Sequence, residues 1–424
     1  MKRRPKRQWM KPVKNSWPTS LWSAITLKSR LYKRALTLAL VLSCTVVASA
    51  QDLIYARQQL DTLASEAFHG RGYAARGQQL AAEYLLREFQ RLGLQPLSDN
   101  YLQPFSLEVN SFDSVLLQIN GRTLVPGSDY LVHPNSGYGE AQSLKAGKKT
   151  GIFDHKSPPK TGNPAWQLLL ETGYQRLMWS VGRETWPLPY FMLSAAATPK
   201  KIKRINYVVR GNFREHQAAN VIGFLPGSTQ PDSVMVICAH YDHLGRMGST
   251  LFPGANDNAS GTALLLDLAR HYSQPQNTPA YSLLFIAFGA EEAGLVGSKH
   301  YVNQPLLPLA RTTLVLNLDL MAGGSEGLMV VNAVQNPAAY QALDSLNQVH
   351  RLVSNIKQRD NAANSDHYPF SQKGIPAIFV YTLGDVTAYH DPNDRPQMLQ
   401  LQHYTFVFEL LNRFIQHWPN RNTP

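Results

Sequence analysis

Apolar positions along most of the chain recur at spacings that identify their own secondary structure. In Gly77–Leu92, residues Leu80, Ala81, Tyr84, Leu85 and Phe89 return every three or four positions, which predicts a helix stopped by Gly93. Residues 53–63 read as a helix as well, and Phe68-His69-Gly70-Arg71-Gly72 between the two reads as a loop. Its His69 and Arg71 are expected to serve as structural hydrogen-bonding groups. Short alternating segments such as Ser114-VLLQI-Asn120 predict strands and hairpins from Tyr101 to about Gly139.

From Asn220 the pattern tightens. Strands are predicted at Val221–Phe224, Val234–Ala239, Tyr281–Phe288, Thr312–Asp319, Leu328–Val334 and Ile375–Tyr381. Between and after them lie helices at Ala259–His271, Glu292–Tyr301, Tyr340–Val353 and Leu401–Trp418. Strands that are apolar on both faces and alternate with helices imply an α/β fold. The architecture expected is a three-layer α/β/α sandwich with a mixed, mostly parallel central sheet. Residues 141–215 differ, with clustered Lys and Pro and few long periodic runs. They read as a small inserted or lid-like subdomain whose lysines form a solvated face.

Composition changes this picture in two places. The net charge of +12 suggests a nucleic-acid or membrane partner until it is located. Residues 1–50 hold eleven Lys and Arg and no acid, so 41 − 11 = 30 basic residues face 29 acidic ones over the rest of the chain. The basicity belongs to the leader, and the nucleic-acid reading falls away with it. That leader has a basic stretch, an apolar run from Ala35 to Ala48 and the small-residue exit Ala48-Ser49-Ala50, the three parts of an export signal. The run is shorter than the ~20 residues of a full membrane span. Cleavage after Ala50 is expected, giving an exported protein, periplasmic or secreted, that is membrane-anchored only if the leader stays. Cleavage removes Cys44 and leaves Cys238, a small core residue on an apolar strand, with no disulfide partner.

The candidate chemistry sits at the strand ends. Val234–Ala239 delivers His240 and, two residues on, Asp242; the glycine-rich turn behind it delivers Asp257. Tyr281–Phe288 runs into Glu291 and Glu292, Thr312–Leu318 ends at Asp319, and the loop after Ile375–Tyr381 holds Tyr389 and His390. Each taken alone has an ordinary reading as a helix cap, a solvated helix start or a core histidine. Their placement on successive strand ends argues for one rim, where open α/β sheets build their sites. Nitrogen and oxygen donors without thiolate suit Zn²⁺, and the carboxylates outnumber what one ion needs.

These segments, with Gly254-Ala255-Asn256-Asp257-Asn258, Ser365-Asp366-His367-Tyr368-Pro369-Phe370 and Tyr389-His390-Asp391-Pro392, resemble the two-zinc metallo-aminopeptidase family. That family includes secreted bacterial leucine aminopeptidases and, more distantly, glutamate carboxypeptidase and glutaminyl cyclase. The resemblance runs from about Asn220 to the C-terminus, and Gly77–Leu92 is similar to the family's first helix. Taken with the leader and the change of texture, it divides the chain into a leader at 1–50, the N-terminal part of a peptidase domain at 51–140, the insert at 141–215, a zinc peptidase core at 216–418 and a tail at 419–424. It further implies two Zn²⁺ per chain, with other divalent metals as alternatives, and peptide substrates. Asp257 bridges the metals in this pattern, His240 and Asp319 complete one position, and Glu292 and His390 complete the other. Glu291 is the general base, Tyr389 polarises the scissile carbonyl, and Asp242 holds the His240 imidazole N–H. A cis bond between Asp257 and Asn258 is also implied. Asp366 and His367 are expected to be structural, and His243, His271, His300 and His350 to be surface or core histidines. A carboxypeptidase or glutaminyl cyclase of the same fold, and a non-catalytic binding domain, are the alternatives.

Overall fold

A computed structural model describes residues 53–157 and 163–418 of the 424-residue chain. The expected leader and the 419–424 tail lie outside the described residues. The main sheet has a parallel centre. Tyr281–Phe288, Gln230–His240, Thr312–Leu318 and Ala377–Leu383 lie side by side in that order, all running the same way. On one flank Arg204–Leu225 pairs antiparallel to Tyr281–Phe288. On the other, Gly327–Val331 pairs antiparallel to Ala377–Leu383, with Ile356–Gln358 at the edge.

The central strands are mostly apolar and largely buried on both faces, because helices cover both sides. Along Gln230–His240, Met235, Ile237 and Ala239 point to one side. There they meet helix 53–63, Gly77–Arg91, Gly261–Tyr272, Pro337–His350 and Tyr404–His417. The alternate residues Val234, Val236 and Cys238 meet Val296–Asn303 and His367–Gln372, through Tyr301 and Phe370. The three-layer sandwich is therefore as expected. Gly77–Arg91 shows its logic in small: Ala81, Leu85 and Phe89 are buried on one stripe, and fully burying a Leu or Phe contributes roughly 1.5–3 kcal/mol. No helix among the described residues is long and apolar enough to cross a membrane.

A second, four-stranded sheet runs in the order Tyr130–Val132, Tyr190–Ser194, Leu168–Tyr174, Thr150–Asp154. Its core joins Leu131, Leu168, Leu170 and Phe191 to Phe112, Ile205, Tyr207 and Phe252. A long hairpin of Leu102–Ile119 and Arg204–Leu225 carries the chain out to this sheet and back. The expected boundaries at 140/141 and 215/216 both fall inside strands, Gly139–Lys145 and Arg204–Leu225. The same hairpin strands serve both cores, so no change of pattern marks where one ends and the other begins.

Candidate active site

The parallel strands end on one rim. Phe288 stands beside His240, and Leu318 beside Val380, so the residues that follow each strand are brought together. His240, Asp257 and Asp319 are all buried.

Asp257 stands at the centre. Its Oδ1 lies 3.4 Å from His240 Nε2, and that nitrogen is also 3.4 Å from Asp319 Oδ1. Its Oδ2 lies 3.2 Å from His390 Nε2, which is 3.2 Å from Glu292 Oε2. One carboxylate thus turns one oxygen toward each of two donor sets. Five residues from five separate chain segments meet here, although their sequence numbers span 150 positions.

The backbone around Asp257 is held on all sides. Residues Ala255–Ser260 form a wide, irregular helical turn, and the Asp257–Asn258 peptide is cis. Asp394, itself buried, accepts the Asn256 N–H at 2.8 Å and the Asp257 N–H at 3.0 Å. Asn258 donates to Leu318 O at 3.0 Å. Gly254 enters the turn at φ +58°, and a Cβ there would sit 2.2 Å from Asp257 O, so only glycine fits. Beneath the turn Arg71 is fully buried and donates to Tyr241 O, Leu63 O, Pro253 O and Gly254 O at 2.7–2.9 Å. The structural role read for this arginine is the one observed.

Asp242 acts differently from the sequence reading. The His240 Nδ1–H donates to the Asp242 backbone carbonyl at 3.1 Å, while the Asp242 carboxylate stays 4.0 Å away. That carboxylate instead accepts from the Tyr73 hydroxyl at 2.7 Å and from the Glu291 and Glu292 N–H groups at 3.0 and 3.3 Å. The segment after His240 leaves the extended conformation, so the carbonyl, not the side chain, reaches back to the ring. With their amides drawn to Asp242, Glu291 and Glu292 sit in a loop, and the helix expected from Glu292 begins at Val296.

His243, read as a surface or core histidine, is a member of the site. It is fully buried, its Nδ1 lies 2.6 Å from Glu292 Oε1, and its Nε2 has no hydrogen-bond partner. The available signal was a second histidine three residues after His240. In an extended segment residues three apart point to opposite faces, yet here both rings approach Asp257. Asp366 and His367 are buried beneath the site, and His367 Nε2 contacts Asn361 Oδ1 at 3.2 Å.

The electrostatics favour added positive charge. Burial raises the Asp319 carboxyl above its ordinary range, with His240 opposing. Burial raises Glu291 well above it, helped by Glu292, Asp366 and Asp319 against His240. Burial would lower the His390 imidazole, yet Glu292 and Asp257 bring it up to about 11. Burial would likewise raise Glu292, but His390 and His243 hold it well below. Like charges crowded out of water call for a cation among them. Asp319 Oδ1, buried without a hydrogen bond, and the all-nitrogen-and-oxygen donor set fit divalent metal. Two clusters within ligand reach share Asp257: His240 with Asp319, and His243 with Glu292. Tyr389 stacks on His390, ring centroids 4.0 Å apart, and is 40% exposed. Desolvation and the nearby carboxylates push its phenol above the ordinary value, so it keeps its proton.

Known proteins bear on this arrangement. Residues 220–415 match the model of peptidase family M28. The chain is similar to aminopeptidase YwaD of Bacillus subtilis, 32% identical over 193 residues, which are 43% of this chain and 40% of that protein. It is similar to leupeptin-inactivating enzyme 1 of Streptomyces exfoliatus, 32% identical over 169 residues, 40% of this chain and 36% of that one. The chain thus spans less than half the length of these curated relatives. In fold it is similar to a zinc aminopeptidase from Bacillus subtilis, with TM-score 0.64 and 19% identity over 85% of this chain and 93% of that one. A peptidase M28 precursor from Shewanella amazonensis gives 0.63 and 17%, over 86% and 96%. The strand-end pattern and its convergence on one acidic rim agree with the match of residues 220–415 to peptidase family M28.

Proposed function

We propose that this protein is an extracytoplasmic, zinc-dependent aminopeptidase that removes N-terminal residues from peptides. The observation that carries the proposal is the Asp257 carboxylate, one oxygen turned to His240 and the other to His390. In this reading His240, Asp319 and Asp257 hold one Zn²⁺, and Glu292, His390 and the same Asp257 hold the second. Bound there, two divalent cations lower the pKa of a water from ~15.7 toward ~7 and polarise the scissile carbonyl.

The protein's own groups do the rest. Glu291 is fixed beside Glu292 by its backbone N–H on Asp242. It takes the proton of the attacking water and passes it to the leaving amine, and a carboxyl raised by its surroundings suits that shuttle. The Tyr389 hydroxyl, held protonated beside His390, donates to the carbonyl oxygen as negative charge builds on it. The Asp242 carbonyl keeps the His240 proton on Nδ1 and its Nε2 lone pair toward the metal. The free α-amino group of the substrate lies against the remaining carboxylates. Export rests on the leader pattern of residues 1–50.

Glu291→Gln tests the assignment, because it keeps the shape of the side chain and removes the base. Metal analysis should still find two ions per chain, and kcat should fall by about 10²–10⁴. Near-normal turnover would remove Glu291 from the mechanism. Aminoacyl-anilides should be cleaved and N-blocked peptides spared. The reverse preference would mark a carboxypeptidase, and a single ion per chain would favour a cyclase.

A further inference from the structure

The second sheet reaches into the site at one point. Its segment Arg176–Trp179 lies between the strands Leu168–Tyr174 and Tyr190–Ser194 and runs against the loop that carries Tyr389 and His390. The His390 Nδ1 is 2.9 Å from the Trp179 carbonyl, and the Trp179 N–H donates back to the His390 carbonyl at 3.0 Å. A carbonyl only accepts, so this contact puts the proton on Nδ1 and leaves the Nε2 lone pair facing Asp257 and Glu292.

Trp179 is itself fixed. Its indole N–H donates to Val132 O at 2.9 Å, its ring stacks on Phe252 at 4.8 Å, and it is buried in the second core. Arg176 donates to Thr387 O at 2.8 Å and to Tyr389 O at 3.2 Å, gripping the same loop three residues and one residue before His390. His240 has a different arrangement. Its Nδ1 partner is the carbonyl of Asp242, two residues along its own segment. One histidine is therefore oriented locally, and the other by a residue 211 positions away in a different sheet.

We infer that Arg176–Trp179 is a positioning clamp that sets the ring and tautomer of His390, so that the second sheet controls the affinity of one metal position and leaves the other untouched. The inference rests on the two-cation reading above. It gives residues 141–215 a role: the subdomain completes the Glu292–His390 half of the centre, and loosening it empties that half first.

The test is calorimetric titration of Zn²⁺ into the metal-free full chain, with His390→Ala marking which binding event belongs to His390. Trp179→Ala removes the anchor of the clamp and should weaken that event by about 10–100-fold, the usual cost of losing a ligand's orienting partner, with the other event unchanged. Arg176→Ala should weaken the same event by less, and Arg176→Lys, which keeps a donor for the two carbonyls, should restore it. Should Trp179→Ala fail to fold, Arg176→Ala decides the matter, since that side chain is half exposed and lies outside the core. Two ions in the wild type with both events weakened equally, or neither weakened, would overturn the clamp. Fewer than two ions in the wild type would overturn the reading beneath it.

Discussion

Replacing Arg71 by Met is the sharpest probe of how the Asp257 turn is held. The guanidinium is fully buried and makes four hydrogen bonds of 2.7–2.9 Å, all to backbone carbonyls, with a fifth to Asp257 O at 3.4 Å. At ~1.5 kcal/mol for each of the four short charge-assisted bonds, the lower end of their range, they contribute roughly 6 kcal/mol. Against that stands the cost of burying the charge. Burial lowers the Arg71 pKa to about 10, with Asp394, Asp257 and Asp242 opposing, and that depression corresponds to roughly 3 kcal/mol. Met would relieve this cost but strand four buried acceptors, so the net loss should be about 3–5 kcal/mol, as for breaking other buried charged contacts. Domains are stable by only about 5–15 kcal/mol, so the fold would survive, weakened. Urea unfolding at neutral pH should show a lower midpoint with an unchanged slope. Arg71→Lys, with three donors and no planar fork, should fall between. Since three of the four carbonyls, those of Tyr241, Pro253 and Gly254, lie within four residues of His240 or Asp257, both metal affinities should drop together, unlike the one-sided loss expected at Trp179. An unfolding free energy within about 0.5 kcal/mol of wild type would refute the reasoning, because that is the effect of an ordinary surface change.

Two further outcomes follow from particular side chains. His243→Ala removes the Nδ1 contact that orients Glu292 and should weaken metal binding on the Glu292 side by about 10–100-fold in the same titration; unaltered binding would return His243 to the core. Burial lowers the pKa of His216, on Gln78, and of His367 to about 4, so both are neutral in the folded protein and titrate near ~6.5 when unfolded. Their contribution is complete above ~6.5 and is lost as pH falls toward 4, because the unfolded chain then binds more protons. His216→Gln should therefore flatten the pH 7 to 5 decline in urea stability by about 2 kcal/mol, and an unchanged decline would exclude His216 as a cause.

What the sequence disclosed and what it hid follow from locality. The parallel strands were legible because each is a mostly apolar run leading to a polar, metal-capable residue, as at Cys238-Ala239-His240 and Leu318-Asp319. The meeting of their ends follows from parallel pairing alone. The true start of the helix at Val296 was hidden, because the amides of Glu291 and Glu292 are drawn off by a carboxylate 49 residues earlier. His243 was hidden because its ring direction depends on a bend that no spacing rule anticipates. The second sheet was hidden because the two strands of one hairpin each serve both cores. Trp179 was beyond reach for a simpler reason: its contact is made by a backbone carbonyl, which every residue has.

The span of these contacts bears on when the protein becomes competent during synthesis. Arg71 waits for Gly254, Trp179 waits for His390, and Asp257 waits for Asp394. A nascent chain that has emerged only as far as residue 380 would own most of the sheet yet lack the loop that closes the cage. Long-range closure of this kind is slow, and it comes after local structure. On the proposed reading, hydrolytic capacity would then arise in a single step, only after residues 390–394 have emerged.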